Sequence, residues 1–302
     1  MYKKIISSNN YLTILRGDYM AKTIIVTETG CDITAEDVAE YGIRMVPMHV
    51  TFDKESLDDG SFPVEKIFES FKKTGILPKT SAANPQDYRN VFENIWQENK
   101  DAEIIHLGYS AVTTASFNNR HIATEDRYNV THIDTKQVSV AGRAIVLKVA
   151  RYVADNPDAT PADIKKYAES CIEKCRFSFF PGDMEYLKAG GRVSNGSYLI
   201  ASVLGLKPLI EIKNGHLLCT KKHRGKNENV FPAFLDRHLS QHRYEPDSFF
   251  MCQSPGLEPE CRNKLTQIAH RHGYYNVPWL NTGCVISTHA GPGAFGVGGF
   301  EI

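Results

Sequence analysis

The sequence predicts an α/β protein of two domains, the first with a mostly parallel sheet and flanking helices, the second an α+β unit with a mixed sheet. Three observations predict it. In the first half, short β-rich runs alternate with amphipathic helical patterns at the spacing of crossover units. The segment Asn156-Pro157-Asp158-Ala159-Thr160-Pro161 then interrupts the pattern near the middle of the chain. Beyond it, Asn214-Gly215 between two strand-like runs supplies the positive φ values of a tight primed turn, and so an antiparallel pair.

The elements follow in order. Thr23 to Thr27, Ile43 to Val50, Glu103 to Gly108 and Asn129 to Asp134 read as strands, and Val64 to Lys73, Pro85 to Asn99, Thr113 to Arg127 and Ser139 to Asp155 as helices. Asn84 is placed to cap the second of these helices, with Pro85 at its first position. At the boundary, Thr160 is an N-cap with Pro161 next and Asp163 three residues on, which opens a helix over 161–175. Further helices are expected over 194–204, 226–240 and 257–272, and strands over 208–213, 216–220, 247–253 and 283–288. The expected domains are 22–157 and 158–302. Residues 1–21 read as an extension, because the first strand follows Met20-Ala21-Lys22.

Composition narrows the function classes. Of 302 residues 42% are hydrophobic, and 35 Lys and Arg balance 35 Asp and Glu. A neutral chain has no global attraction to nucleic acid or to an anionic membrane. The longest apolar run, Tyr198 to Leu206, is far short of the roughly 20 residues needed to cross a bilayer, so no transmembrane insertion is expected. Ser7-Ser8-Asn9-Asn10 breaks up any secretory signal. The seven cysteines are odd in number and scattered, with no CxxC pair and no zinc-like spacing, which reads as reduced thiols of a cytoplasmic protein without a metal site.

Five segments could carry chemistry. Gly291-Pro-Gly293-Ala-Phe-Gly296 matches GxGxxG, but the dinucleotide reading needs a following helix and an acidic residue for which no chain is left. Its amides beside His289 suit the close approach of a small anionic group. Gly108-Tyr109-Ser110-Ala111-Val112 ends a strand where a nucleophile elbow would sit, and the order Ser110, Asp134 or Asp183, His289 is that of an α/β-hydrolase. Val112 at the fifth elbow position is sterically poor, and helix capping explains Ser110, Thr113, Thr114 and Ser116 equally well. Thr80 and Ser81 precede the Asn84 cap and are free to bond a ligand. Gly190-Gly191-Arg192 is a turn that can project a guanidinium toward carboxylate or phosphate, although a surface turn reads the same locally. Lys221, Lys222, Arg224 and Lys226 form a charge run that reads first as solvated surface.

Taken together and in this order, the motifs resemble those of the bacterial DegV family, which includes the fatty-acid-binding subunits of the fatty acid kinase. Thr80-Ser81-Ala-Ala-Asn-Pro85-Gln-Asp-Tyr88 resembles the family's TSQPSPEDF, Ser110 to Asn118 its SSGLSGTYQ, and Asp134-Thr-Lys-Gln137 its DSKQ. Tyr186 to Ser194 is similar to LxKxGRIS, Arg224-Gly-Lys226 to RxRKK, and His289 to Gly296 to HxGPGxxG. The chain departs at Glu28 and Thr29, where the family has Asp and Ser of TDSxxDL, and at Ala111, where it has a second Ser.

The resemblance implies a non-catalytic carrier with no cofactor, holding a long-chain fatty acid in a tunnel between the domains and presenting its carboxylate to a kinase catalytic subunit. It assigns the carboxylate to Thr80, Ser81, Ser110, the Ala111 amide, Thr114, His289 and the loop at Gly291, and the head-group or partner contact to Arg192 and Arg224. Tyr198, Leu199, Val203, Leu204 and Phe295 are candidate tunnel lining, although apolar helical spacing does not separate a tunnel wall from ordinary core. At about 0.8 kcal/mol per buried methylene, a 16-carbon tail contributes about 10 kcal/mol of gross driving force. The alternatives are an esterase-like serine hydrolase using Ser110 and His289, and a regulatory binding module for another anionic amphiphile.

Overall fold

The computed structural model describes residues 23–124, 128–195 and 206–302. Sheet A has the order β2-β1-β6-β7, with β1 (Thr23–Glu28), β2 (Arg44–Val46), β6 (Glu103–Gly108) and β7 (Asn129–Asp134) all parallel. Between them run α1 (Ala35–Tyr41), α2 (Glu65–Thr74), α3 (Pro85–Glu98) and α4 (Ser116–Ala123), and α5 (Ser139–Asp155) follows β7. Asn84 caps α3 in a reciprocal box with Asp87, and Pro85 stands in its first turn, as the sequence requires.

The single strand expected over 43–50 is two. β2 ends at Val46, and β3 (His49–Phe52) joins a separate antiparallel sheet with β4 (Glu55–Asp58) and β5 (Lys79–Ser81). Pro47 lies at the break, where it has no N–H for a ladder. The helix expected over 113–127 is likewise shorter, because the Thr113 amide and hydroxyl both turn back to the Ser110 carbonyl, at 3.1 and 2.9 Å.

The second half carries the mixed sheet, ordered β10-β9-β8-β13-β11-β12. Its strands are β8 (Cys175–Phe180), β9 (Leu206–Lys213), β10 (His216–Arg224), β11 (Phe250–Gln253), β12 (Trp279–Asn281) and β13 (Phe295–Phe300). All neighbours are antiparallel except β11 and β12. The hairpin turn is as expected, with φ 48° at Asn214 and 82° at Gly215. The helices are α6 (Pro161–Lys174), α7 (Met184–Gly190), α8 (Asn227–Gln241), α9 (Pro259–Arg271) and α10 (Cys284–Ala290). Thr160 caps α6 with Asp163 completing the box.

The helix expected over 194–204 lies mostly outside the described residues, and residues 1–22 lie outside them. The run expected as a strand over 283–288 is instead a helix, capped by groups far away in the sequence. β8 and β13, at the centre of the sheet, have no counterpart among the expected strands. β13 is Gly-rich because its neighbours press close: a Cβ on Gly298 would stand 2.4 Å from the Arg176 carbonyl oxygen.

Candidate functional site

Two segments more than 200 residues apart meet at the centre of the site. β5 pairs with β3 through Thr80 and Val50, which fixes the Thr80 hydroxyl, and α10 carries His289 in its last turn. Thr80 Oγ1 and His289 Nε2 are 2.8 Å apart. The other ring nitrogen, Nδ1, is buried and has no partner among the described residues. Burial, and secondarily the Arg192 cation, lower the His289 pKa to about 4, so the ring is neutral at pH 7. A neutral imidazole carries one N–H, so it can present a donor to a carboxylate.

The geometry explains why α10 forms at all. Val285-Ile286-Ser287-Thr288 favours a strand locally, yet two buried carboxylates from the first half of the chain cap this segment as a helix. Asp32 accepts the Gly283 N–H at 2.8 Å, and one oxygen of Asp59 accepts the N–H groups of Cys284 and Val285 at 2.9 and 3.1 Å. Ser139 donates to the other Asp32 oxygen at 2.6 Å, whereas the second Asp59 oxygen is buried without a hydrogen-bond partner among the described residues. Burial is the main cause that raises both acids, Asp32 to about 8, and the nearby Asp59 adds to the rise at Asp32. Gly190, at the end of α7, leaves the space that the ring fills: a Cβ there would stand 2.2 Å from His289 Nδ1.

Around this pair lies a cavity whose lining draws on both halves of the chain. Its wall is mainly apolar, with Met48, Phe177, Phe179, Leu217, Ile286 and Phe295 among the lining residues. Thr80, Ser81, Thr114 and His289 are on its polar side, with the exposed Arg192 also on its lining. Thr114 Oγ1 is within 3.0 Å of Ser116 Oγ. Arg192 donates to the Gly190 carbonyl at 2.6 Å, which ties the guanidinium to the turn beneath His289.

Other candidates lie elsewhere. Ser110 is fully buried, does not line the cavity, and donates to the Gly215 carbonyl at 2.8 Å. The Ala111 amide is taken by Asp134 at 3.2 Å. The Gly291 amide closes α10 on Ser287 at 2.9 Å and its carbonyl accepts from Ser254 at 2.5 Å, so its role is to turn the chain, with φ 71°. Arg224 lines a different groove. Tyr198, Leu199, Val203 and Leu204 fall outside the described residues. Ser110 and His289 have separate partners, so the contact between nucleophile and base that a serine hydrolase needs is not formed.

The sequence marks Gly190 only as a turn residue and Asp32 only as a match to the family's first motif, and nothing local ties either of them, or Asp59, to His289. The Glu28 departure is also clarified. Glu28 is buried away from the cavity lining and accepts hydrogen bonds from the Tyr88 hydroxyl and, at 2.8 Å, the Tyr109 amide, with His106 Nε2 3.1 Å away. The His106 contact and these hydrogen bonds together outweigh burial and hold its pKa below the usual carboxylate value. Among the described residues no group of three His, Cys, Asp or Glu could hold a metal, and no helix is long and apolar enough to cross a membrane.

Comparison with known proteins places this geometry in a family. The family model described as "Uncharacterised protein, DegV family" matches residues 22–301. A DegV domain-containing protein of Caldanaerobacter subterraneus subsp. tengcongensis is 26% identical over 290 residues, 92% of this chain and 98% of the relative. Among solved structures, the chain is similar to one described as fatty acid binding of a DegV family protein from Thermus thermophilus, with TM-score 0.79 and 20% identity over 93% of this chain and 99% of that one. It is also similar to a stearic-acid-binding protein from Eubacterium ventriosum, with TM-score 0.77 and 22% identity over 93% and 98%. At these identities the likeness establishes the fold.

Proposed function

The chain belongs to the DegV family, and from that premise we propose that it binds a long-chain fatty acid in the cavity around Thr80 and His289. The acyl tail lies along the apolar wall, including Phe179 and Phe295. The carboxylate meets Thr80 and the neutral His289, with Ser81 and Thr114 beside them. The observation that carries this reading is a hydroxyl–imidazole pair, with a buried ring nitrogen unpartnered among the described residues, on the lining of a mainly apolar cavity. A carboxylate taken out of water requires such donors, because leaving it unpaired in a low-dielectric site is costly.

In this reading the protein is a non-catalytic cytoplasmic carrier that shields the chain and offers its carboxylate to a fatty acid kinase. The cavity lies between units comprising residues 22–157 and 158–302. Arg192, exposed and on the cavity lining, is the group suited to meet both the head group and the partner.

Mass spectrometry of lipid extracted from the native protein tests the proposal. One saturated or monounsaturated fatty acid per chain is the expected result. Recovery of no acyl chain, together with labelling of Ser110 by a fluorophosphonate, would replace it with the hydrolase.

A further inference from the structure

A second cavity, on the opposite face of the mixed sheet, has no part in the acyl site. The alternation of β8 separates the two: Phe179 lines the acyl cavity, whereas Phe180 turns the other way and meets the His223 ring edge-on at 5.4 Å. A bulge in β10 brings the charge run to this second face. Cys219 pairs with Ile210, but Lys221, not Thr220, pairs with Leu209, so one extra residue moves Lys221 and His223 onto the Leu209 face. The result is a groove of about 800 Å³ between the hairpin and α8, lined by Lys221, His223, Arg224 and Arg237.

Its other titratable groups are already engaged. Glu211 pairs with Lys213 at 2.9 Å, His238 Nε2 lies 2.6 Å from the Tyr244 hydroxyl, and His242 Nδ1 lies 2.7 Å from Glu301. Lys221, Arg224 and Arg237 have no hydrogen bond or ion pair from their cationic groups among the described residues. His223 Nε2 is buried without a partner among the described residues. Burial, then Arg237 and then Lys221 hold the His223 pKa below its usual value, so both cations act on a neutral ring that can donate an N–H.

We propose that this groove binds the phosphate group of a small molecule, either a phosphomonoester or free phosphate, with Arg237, Lys221 and Arg224 supplying charge and His223 Nε2 supplying a buried donor. Two guanidinium groups and an ammonium beside Phe234 and the His223 ring, which the buried Phe180 backs, match a compact dianion better than a monoanionic carboxylate. The site is independent of the fatty acid reading and stands or falls separately.

The test uses the full chain in a low-salt buffer without phosphate or sulfate, titrated calorimetrically with inorganic phosphate and with phenyl phosphate. Saturable one-to-one binding of either is expected, weakened at least tenfold in a Lys221→Ala/Arg237→Ala double variant and restored in part by Arg237→Lys. Binding of phenyl phosphate alone identifies a phosphomonoester, and binding of inorganic phosphate alone identifies the free anion. The NMR titration midpoint of His223 should move upward when the ligand is present, as the proton is then favoured by an adjacent anion. Absence of saturable binding by both probes, or equal binding by the wild type and a double variant of unchanged melting temperature, would overturn the proposal.

Discussion

Replacing His289 by Ala should weaken fatty acid binding by about 12- to 150-fold. The figure follows from one hydrogen bond to a charged group in a largely desolvated place, about 1.5–3 kcal/mol, at 1.4 kcal/mol per factor of ten. Among the described residues the ring makes one polar contact, to Thr80, so the variant breaks that hydrogen bond and leaves the Asp32 and Asp59 caps at the far end of α10 in place. The acid response separates ligand effects from folding effects. The folded pKa of about 4 lies below the usual 6.5, so an unfolded chain takes up a proton on His289 before the folded one does. The resulting stability is complete above about pH 6.5 and is lost as pH falls toward 4, with a ceiling of about 3 kcal/mol over that window. Urea unfolding at pH 7 and pH 5 should therefore show a smaller acid loss in His289→Ala than in the wild type. Binding is measured by displacement of a fluorescent fatty acid by palmitate at pH 7.5. A change below threefold, with native lipid retained at wild-type stoichiometry, would refute the assignment of His289 to the carboxylate.

Three further outcomes follow from the same geometry. Gly190→Ala forces the His289 ring from its place, since the new Cβ would stand 2.2 Å from Nδ1; palmitate affinity should fall as in His289→Ala, and the double variant should be no weaker than either single one in the same displacement assay. Asp32, raised to about 8, holds a proton in the folded state that the unfolded chain has released above about pH 4, so its contribution to stability declines as pH rises through that window. Asp32→Asn keeps an acceptor for Gly283, so its urea midpoint should fall less than that of the wild type between pH 6 and 8.5, and parallel slopes would count against a buried protonated acid. Glu28→Gln should cost stability rather than affinity, because it removes the charge that Tyr88 and His106 face, a loss bounded by the roughly 3–5 kcal/mol of a broken buried pair; a lower melting temperature with palmitate affinity within threefold of wild type is expected.

The parts of the fold that the sequence makes legible are those held by neighbours in the chain. Asn84-Pro85 and Thr160-Pro161 state their caps in a few residues, and Asn214-Gly215 states its turn in two. The site is legible to the extent that short motifs carry it: Thr80, Ser81, Thr114, Arg192, His289 and Phe295 all line the cavity. What failed depends on distance. Residues 283–288 have a strand's composition but fold as a helix because acceptors more than 220 residues away satisfy its first amides. Ser110, assigned to the carboxylate by the family resemblance, spends its hydroxyl on the Gly215 turn, 105 residues on. β13 was hidden by its glycines, which reflect how closely the adjacent strands approach and not a preference of the segment itself.

The capping of α10 also bears on how binding and folding are joined. His289 sits on a seven-residue helix, too short to persist by itself given the cost of nucleation. Its first amides are satisfied by Asp32 and Asp59, its last turn touches Thr80, and all three belong to the first half of the chain. The Thr80–His289 pair is therefore complete only while the two halves of the chain are packed together. A ligand that bridges Thr80 and His289 adds to the same set of contacts, so fatty acid should raise the melting temperature in proportion to its affinity. Glu28 belongs to a different network, with Tyr88, His106 and the Tyr109 amide, and does not itself line the cavity; it reaches the lining only through the backbone of Tyr109. The departure from the family's Asp therefore acts on the support of sheet A and leaves the Thr80–His289 pair with its own partners.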